Sequence, residues 1–171
     1  DLFFNGFVKE FGEYKELPFI KNDSRNSTLI LEMIKALNID AIISIQHNWI
    51  MPLFILDSVN GNSFNLHNAK LPDYKGYNSI FHAIANGDKT FTSTIHWMAE
   101  LVDSGDIIEE GVVEINQNDT ALSLYIKSVD AATIAFEKFL EYLRIGSIPR
   151  RPMLGAGVFY NRHDQDIMRN I

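Results

Sequence analysis

Between Asn26 and Ile45 the chain changes its hydrophobic period within a few residues, and that change limits the fold more than any other feature. Leu29, Ile30, Met33, Ile34 and Leu37 recur at the spacing of one helix face, with Asn26 or Ser27 available as an N-cap and Asn38 as a stop. Ala41-Ile42-Ile43-Ser44-Ile45 then forms a continuous apolar run, the pattern of a strand buried on both faces of a parallel sheet. Leu17-Pro18-Phe19-Ile20 reads as a short strand before the helix. Strand, helix, strand implies a right-handed crossover, hence an α/β fold with a mostly parallel, Rossmann-like sheet flanked by helices. Upstream, Phe3, Phe4, Phe7, Val8 and Phe11 also recur at helical spacing.

Downstream the same grammar continues. Ser63-Phe64-Asn65-Leu66 reads as a buried strand running into turn residues, Asn78 to Asn86 as a helix with Ile80, Phe81, Ala83 and Ile84 buried, and Phe91 to Met98 as a strand. Asp106 to Ile115 is a further strand, and Asp119 or Thr120 starts the longest helix, which runs to about Arg144 with Gly146 beyond it. Its apolar positions exceed one stripe, so two covered sides are expected. We divide the chain into a domain over 1–146 and a strand-containing tail over 147–171.

The 171 residues, 46% apolar, suffice for one ordinary core. No segment reaches the ~18 to 20 uninterrupted apolar residues of a membrane span, and no signal-like segment opens the chain. The absence of cysteine rules out disulfides and thiolate catalysis. A net charge of −7 disfavours a broad polyphosphate partner such as nucleic acid. Together these point to a soluble, cytoplasmic domain that avoids both membrane and nucleic acid.

Chemistry concentrates at two loops. Asn65 and His67 alternate along a strand, so they share a face just where it ends, and Asp103 sits in a Ser-Gly turn after the next strand. An amide donor, an imidazole and a carboxylate at strand ends suit acyl transfer. The same residues also fit a turn-capping Asn65, a partly buried structural His67 and a turn aspartate. His47, His82, His96 and His163 show no metal-ligand spacing, so no metal is expected; His96 reads as a satisfied strand residue.

Five stretches, in order, resemble the folate-dependent formyltransferases: Asn65-x-His67, Leu71 to Gly76, Ala83 to Asp88, Thr94 to Met98 and Val102 to Ile107. Weaker similarity extends from about Ser44 to Tyr160. The resemblance implies the formyltransferase fold with 10-formyltetrahydrofolate as co-substrate. It implies that Asn65 offers its amide to an oxyanion, with His67, protonated or hydrogen-bonded, as a second donor. Asp103 would orient His67, raise its pKa and help relay protons. Asn48, Trp49, Ile50, Met51, Met98 and Val102 would line the folate pocket, while Tyr74, Lys75 and Tyr77 would meet the acceptor. The run after Gly76 is most similar to enzymes that formylate nucleotide-linked amino sugars. Another formyl acceptor, water as acceptor, or a non-catalytic relative are the alternatives. A homodimer is compatible with the resemblance. The family's domain opens with a strand, a Gly-containing turn and a helix. The stretch before Ala41 is too short to add that unit to the elements placed there, so either the sequence is a fragment lacking the first βα unit or the fold is rearranged.

Overall fold

The computed structural model describes residues 27–47 and 49–161. The expected helix before Tyr14 and strand at Leu17 to Ile20 lie outside the described residues. Helix α1 (Ser27–Ala36) carries Lys35 in its last turn, and Asn38 turns the chain out of it at φ 50°. Strand β1 (Ile42–Ile45) follows, then a short helix α2 (Leu53–Asp57) that starts after Pro52, and strand β2 (Ser63–His67). A two-residue strand β3 (Lys75–Gly76) precedes helix α3 (Ser79–Ala85). Strands β4 (Thr90–Trp97) and β5 (Ile107–Glu114) lead to helix α4 (Ala121–Ile145), and β6 (Phe159–Tyr160) ends the described chain.

The α/β class and the central sheet flanked by helices are as expected. The described sheet runs β1-β2-β4-β5, and its pairing is more mixed than the apolar runs suggested. β1 and β2 are parallel, while β2–β4 and β4–β5 are antiparallel. The β4–β5 pair is joined by a simple reversal, whereas β1 to β2 and β2 to β4 are each connected through a helix, α2 and α3. β1 is the edge strand of the described sheet, so Ile43 and Ile45 are exposed instead of buried on both faces.

Helix α4 packs across β4 and β5. Leu124, Ser128, Ala132, Ala135 and Phe139 form its buried stripe, and Phe139 meets Phe64 edge-on at 4.9 Å between ring centroids. Burying a side chain such as Phe64, Ile95 or Phe139 contributes about 1.5–3 kcal/mol each. The approach is close because β5 offers Gly111, where a Cβ would stand 2.3 Å from the Ala131 carbonyl oxygen. Thr120 and Ser123 form a reciprocal capping box at the helix start, and Gly146 ends it at φ 75°. Among the described residues nothing covers a second side: Leu122, Ile126, Val129 and Leu140 are exposed. Phe81, expected inside, is exposed on α3, where His82 and Ala83 are the buried residues.

The tail packs back on the body. Arg151 exchanges backbone hydrogen bonds with Ile107, and the Trp97 indole donates to the Pro149 carbonyl at 2.9 Å. β6 pairs in parallel with β3 in the loop after β2. Gly157 permits this contact, because a Cβ there would fall 1.9 Å from the Pro72 carbonyl oxygen. Among the described residues, no helix is long and apolar enough to cross a membrane.

Candidate active site

Asn65 and His67 project from the same face of β2, and the antiparallel register puts His96 of β4 directly across from Asn65. The Asn65 amide nitrogen lies 3.1 Å from His96 Nε2. His96 Nδ1 lies 2.8 Å from the Trp97 carbonyl, so the network assigns the proton to Nδ1 and leaves Nε2 to accept from Asn65. An amide carries two donors. One is held by His96, which fixes the direction of the other.

Asp103 approaches from the loop after β4. Its Oδ2 accepts the Gly76 N–H at 2.9 Å and lies 3.7 Å from His67 Nε2, while Oδ1 lies 3.7 Å from His96 Nε2. Asn65, His67 and Asp103 therefore converge as one group, with His96 at its centre. The loop is set by Gly105, whose α-carbon lies against Trp97: a Cβ would sit 1.9 Å from the Trp97 carbonyl oxygen. Gly105→Ala should therefore cost about 1–3 kcal/mol of stability and displace Asp103. Thermal melting and kcat on the same variant check both effects.

The protonation states follow from burial. His67 Nε2 donates to the Tyr74 carbonyl at 2.8 Å, which makes Nδ1 the basic nitrogen of the neutral ring. Burial is the largest influence on His67 and lowers its pKa; the Asp103 charge and the Tyr74 carbonyl oppose this without reversing it. Asp103 does pull the His67 pKa upward, as expected, but desolvation outweighs it and the net shift is downward. For Asp103 itself burial again acts most strongly, upward, but His96, His67 and the Gly76 N–H together hold its pKa below the ordinary value. The site therefore pairs a neutral imidazole with an ionised carboxylate near neutral pH.

These groups floor a cavity of about 370 Å³. Trp49, Ile50, Met51, Met98, Leu101 and Val102 are among its lining residues; Asn48 lies outside the described residues. Tyr77, Ile80, Phe81, Tyr125 and Phe159 line it toward α3 and α4. Of the expected acceptor contacts, Tyr77 alone faces this cavity. Tyr74 is buried behind the loop, donating its hydroxyl to Asp88 and accepting from Asn86 at 3.0 Å. Burial foremost, with the Asp88 hydrogen bond, pushes its pKa up to about 12. The Lys75 ammonium reaches Ser104 Oγ at 3.2 Å, tying β3 to the Asp103 turn. Among the described residues, no cluster of His, Cys, Asp and Glu has metal-binding geometry.

His96 is the satisfied strand residue that was expected, buried and partnered at both ring nitrogens, but its place beside Asn65 was not expected. Its signal was available only through strand pairing, since position 96 gains meaning once it is known to face position 65. His96→Ala removes the buried acceptor of Asn65, costing about 1–3 kcal/mol, and lowers kcat by less than loss of Asn65 itself. Calorimetry and steady-state kinetics on the single and double variants test this, because the two effects on kcat should not add.

The family model described as formyl transferase matches residues 7–140. The methionyl-tRNA formyltransferase of Fusobacterium nucleatum is 28% identical over 141 residues, which cover 82% of this chain and 46% of that relative. The chain thus spans less than half the length of that curated relative. Among solved structures, a formyltransferase from Anoxybacillus kamchatkensis, in complex with UDP-4,6-dideoxy-4-formamido-L-AltNAc and tetrahydrofolate, has a TM-score of 0.75 at 23% identity; the match covers 96% of this chain and 85% of that one. A 4-N formyltransferase from Francisella tularensis has a TM-score of 0.79 at 24% identity, covering 96% and 64% respectively. An N-formyltransferase from Helicobacter canadensis, in complex with folinic acid and dTDP-3-aminofucose, has a TM-score of 0.64 at 25% identity, covering 71% and 45%.

Proposed function

The chain belongs to the formyl transferase family, and from that premise we propose that it moves a formyl group from 10-formyltetrahydrofolate to the amine of a nucleotide-linked amino sugar. The observation that carries the reading is the cluster of half-buried Asn65 and His67 with buried His96 and Asp103, all four lining one cavity. Ile50, Met51 and Met98 offer an apolar slot to the flat pterin, and the side near Tyr77 is left for the acceptor.

In this reading the acceptor nitrogen attacks the formyl carbon while that carbon is still bonded to the folate nitrogen. Charge then gathers on the formyl oxygen, where the Asn65 N–H that His96 aims can meet it; such a donor is worth about 2.7–4 kcal/mol in kcat. The new C–N bond makes the amine acidic, and neutral His67 accepts its proton at Nδ1. Asp103 holds the resulting imidazolium. The proton then passes to the folate nitrogen, directly or through water, as the old C–N bond breaks. The amine is thereby formylated and tetrahydrofolate leaves.

The sugar acceptor is supported by the two sugar-bearing complexes among the similar structures and by the run from Lys75 to Asn78. Incubation with 10-formyltetrahydrofolate and a panel of nucleotide-linked amino sugars tests it, following tetrahydrofolate and the formamide by mass. Tetrahydrofolate and formate released at one rate with or without acceptor would mean that water is the acceptor. No turnover with any acceptor would remove the enzyme reading. Ile50→Asp should weaken binding of a folate analogue about tenfold or more, since it puts a charge against the pterin slot. Titration calorimetry reads that shift, and unchanged affinity would relocate the donor.

A further inference from the structure

Among the described residues that line the cavity, only Phe159 lies beyond the family match. Asn65, His67, His96 and Asp103 all fall within residues 7–140, whereas Phe159 is supplied by the tail. Strand β6 carries it in by pairing with β3. There the Lys75 N–H donates to the Val158 carbonyl at 2.9 Å and the Tyr77 N–H to the Tyr160 carbonyl at 3.0 Å. Side chains alternate along a strand, so the two residues of β6 part company. Tyr160 stacks on His82, with 3.8 Å between ring centroids. Phe159 lines the cavity and stays 48% exposed.

The ring is held from one side by bare backbone. Its Cζ and Cε2 atoms lie 3.2 and 3.3 Å from where a Cβ on Gly76 would stand. The same Gly76 donates its N–H to Asp103 Oδ2 at 2.9 Å, so an open aromatic ring sits one residue from the reacting centre. What stands next to a reacting amine is the group that carries it, with any diphosphate farther along the molecule. The charges agree. Among the described lining residues there is no lysine or arginine, while Glu100 and Asp103 are acidic. Such a wall repels a diphosphate and accepts a sugar.

We propose that Phe159 is the platform on which the pyranose of the acceptor stacks, and that it selects the acceptor by the face of that sugar. The assignment rests on the acceptor class proposed above. A pyranose shows C–H bonds on its faces and hydroxyls around its edge, so an aromatic ring takes the face and leaves the edge to polar partners. A deoxygenated carbon widens the apolar face. A hydroxyl turned onto the ring would lose its water and gain no partner. The stack aims the amine toward His67 Nδ1 and leaves the diphosphate pointing out of the cavity.

Phe159→Ala should raise the acceptor KM about tenfold and leave the affinity for a folate analogue unchanged. Phe159→Tyr should restore the KM. Phe159→Leu, which keeps apolar bulk over Gly76 without a ring, should not. Titration calorimetry with UDP- and dTDP-linked amino sugars, each beside UDP or dTDP alone, locates the contact. Phe159→Ala should weaken the sugar nucleotide and leave the bare nucleotide as it was. Equal weakening of both would put the ring against the base and overturn the platform. A loss confined to kcat would make Phe159 a prop for Gly76 and Asp103, which overturns it too. Where the parent protein formylates these sugars and Phe159→Ala keeps the parent KM, the platform alone is wrong. Where the parent protein neither binds nor formylates any of them, the sugar acceptor is wrong and the platform falls with it.

Discussion

Asn65→Ala is expected to lower kcat by about 10²–10³ while donor affinity stays near its starting value. The asymmetry follows from where the amide acts. His96 holds one of its hydrogens, so the other is directed before any substrate arrives. A donor fixed in advance gains little from the weakly polar formyl oxygen of the ground state and much from the oxyanion. Interactions that strengthen only in the transition state raise kcat without tightening binding. Single-turnover kinetics beside a direct titration of a folate analogue separate the two quantities. Parallel losses in both would make Asn65 a structural residue. Asn65→Asp is the sharper control, since it keeps the shape and replaces a donor by a charge that repels the oxyanion.

The second large effect lies at His67. His67→Ala should lower kcat by about 10²–10⁴, the range for a removed general base. The pH profile carries the finer test. Burial lowers the His67 pKa, so the ring stays neutral, and competent as a base, to more acidic pH than an ordinary histidine. The acid limb of kcat should therefore lie below the usual histidine value. Asp103→Asn keeps an acceptor for the Gly76 N–H and removes the charge that pulls the His67 pKa upward. Its acid limb should move lower still. A limb that does not move would show that Asp103 does not act on His67. The stability consequence has a definite sign: the folded-state pKa is depressed, so neutral His67 favours the fold above its unfolded pKa of about 6.5. That contribution is lost as pH falls through the folded value. Denaturant melts of the protein and of His67→Gln across that window read the difference.

Much of this protein was legible in the chain itself. The period change between α1 and β1 required an α/β fold, the Thr120 and Gly146 signals bounded α4, and the alternation of Asn65 and His67 placed an amide and an imidazole on one side of a strand end. These are local properties, set by backbone geometry and capping chemistry within a few residues. Tertiary structure decided the rest. Which residue faces Asn65 depends on the antiparallel register of β2 and β4, and that register brought in His96 from 31 positions away. The sign of the His67 shift depends on how much water the fold removes, and a list of neighbouring charges misjudges it. Tyr74 lies in the matched loop yet turns behind it to Asp88, because the loop closes around a buried side chain. The apolar residues of α4 were visible as a set, but only packing against β4 and β5 divided them into a stripe that is covered and a stripe that is not. Periodicity says which residues share a helix face; the position of the sheet says which face is left over.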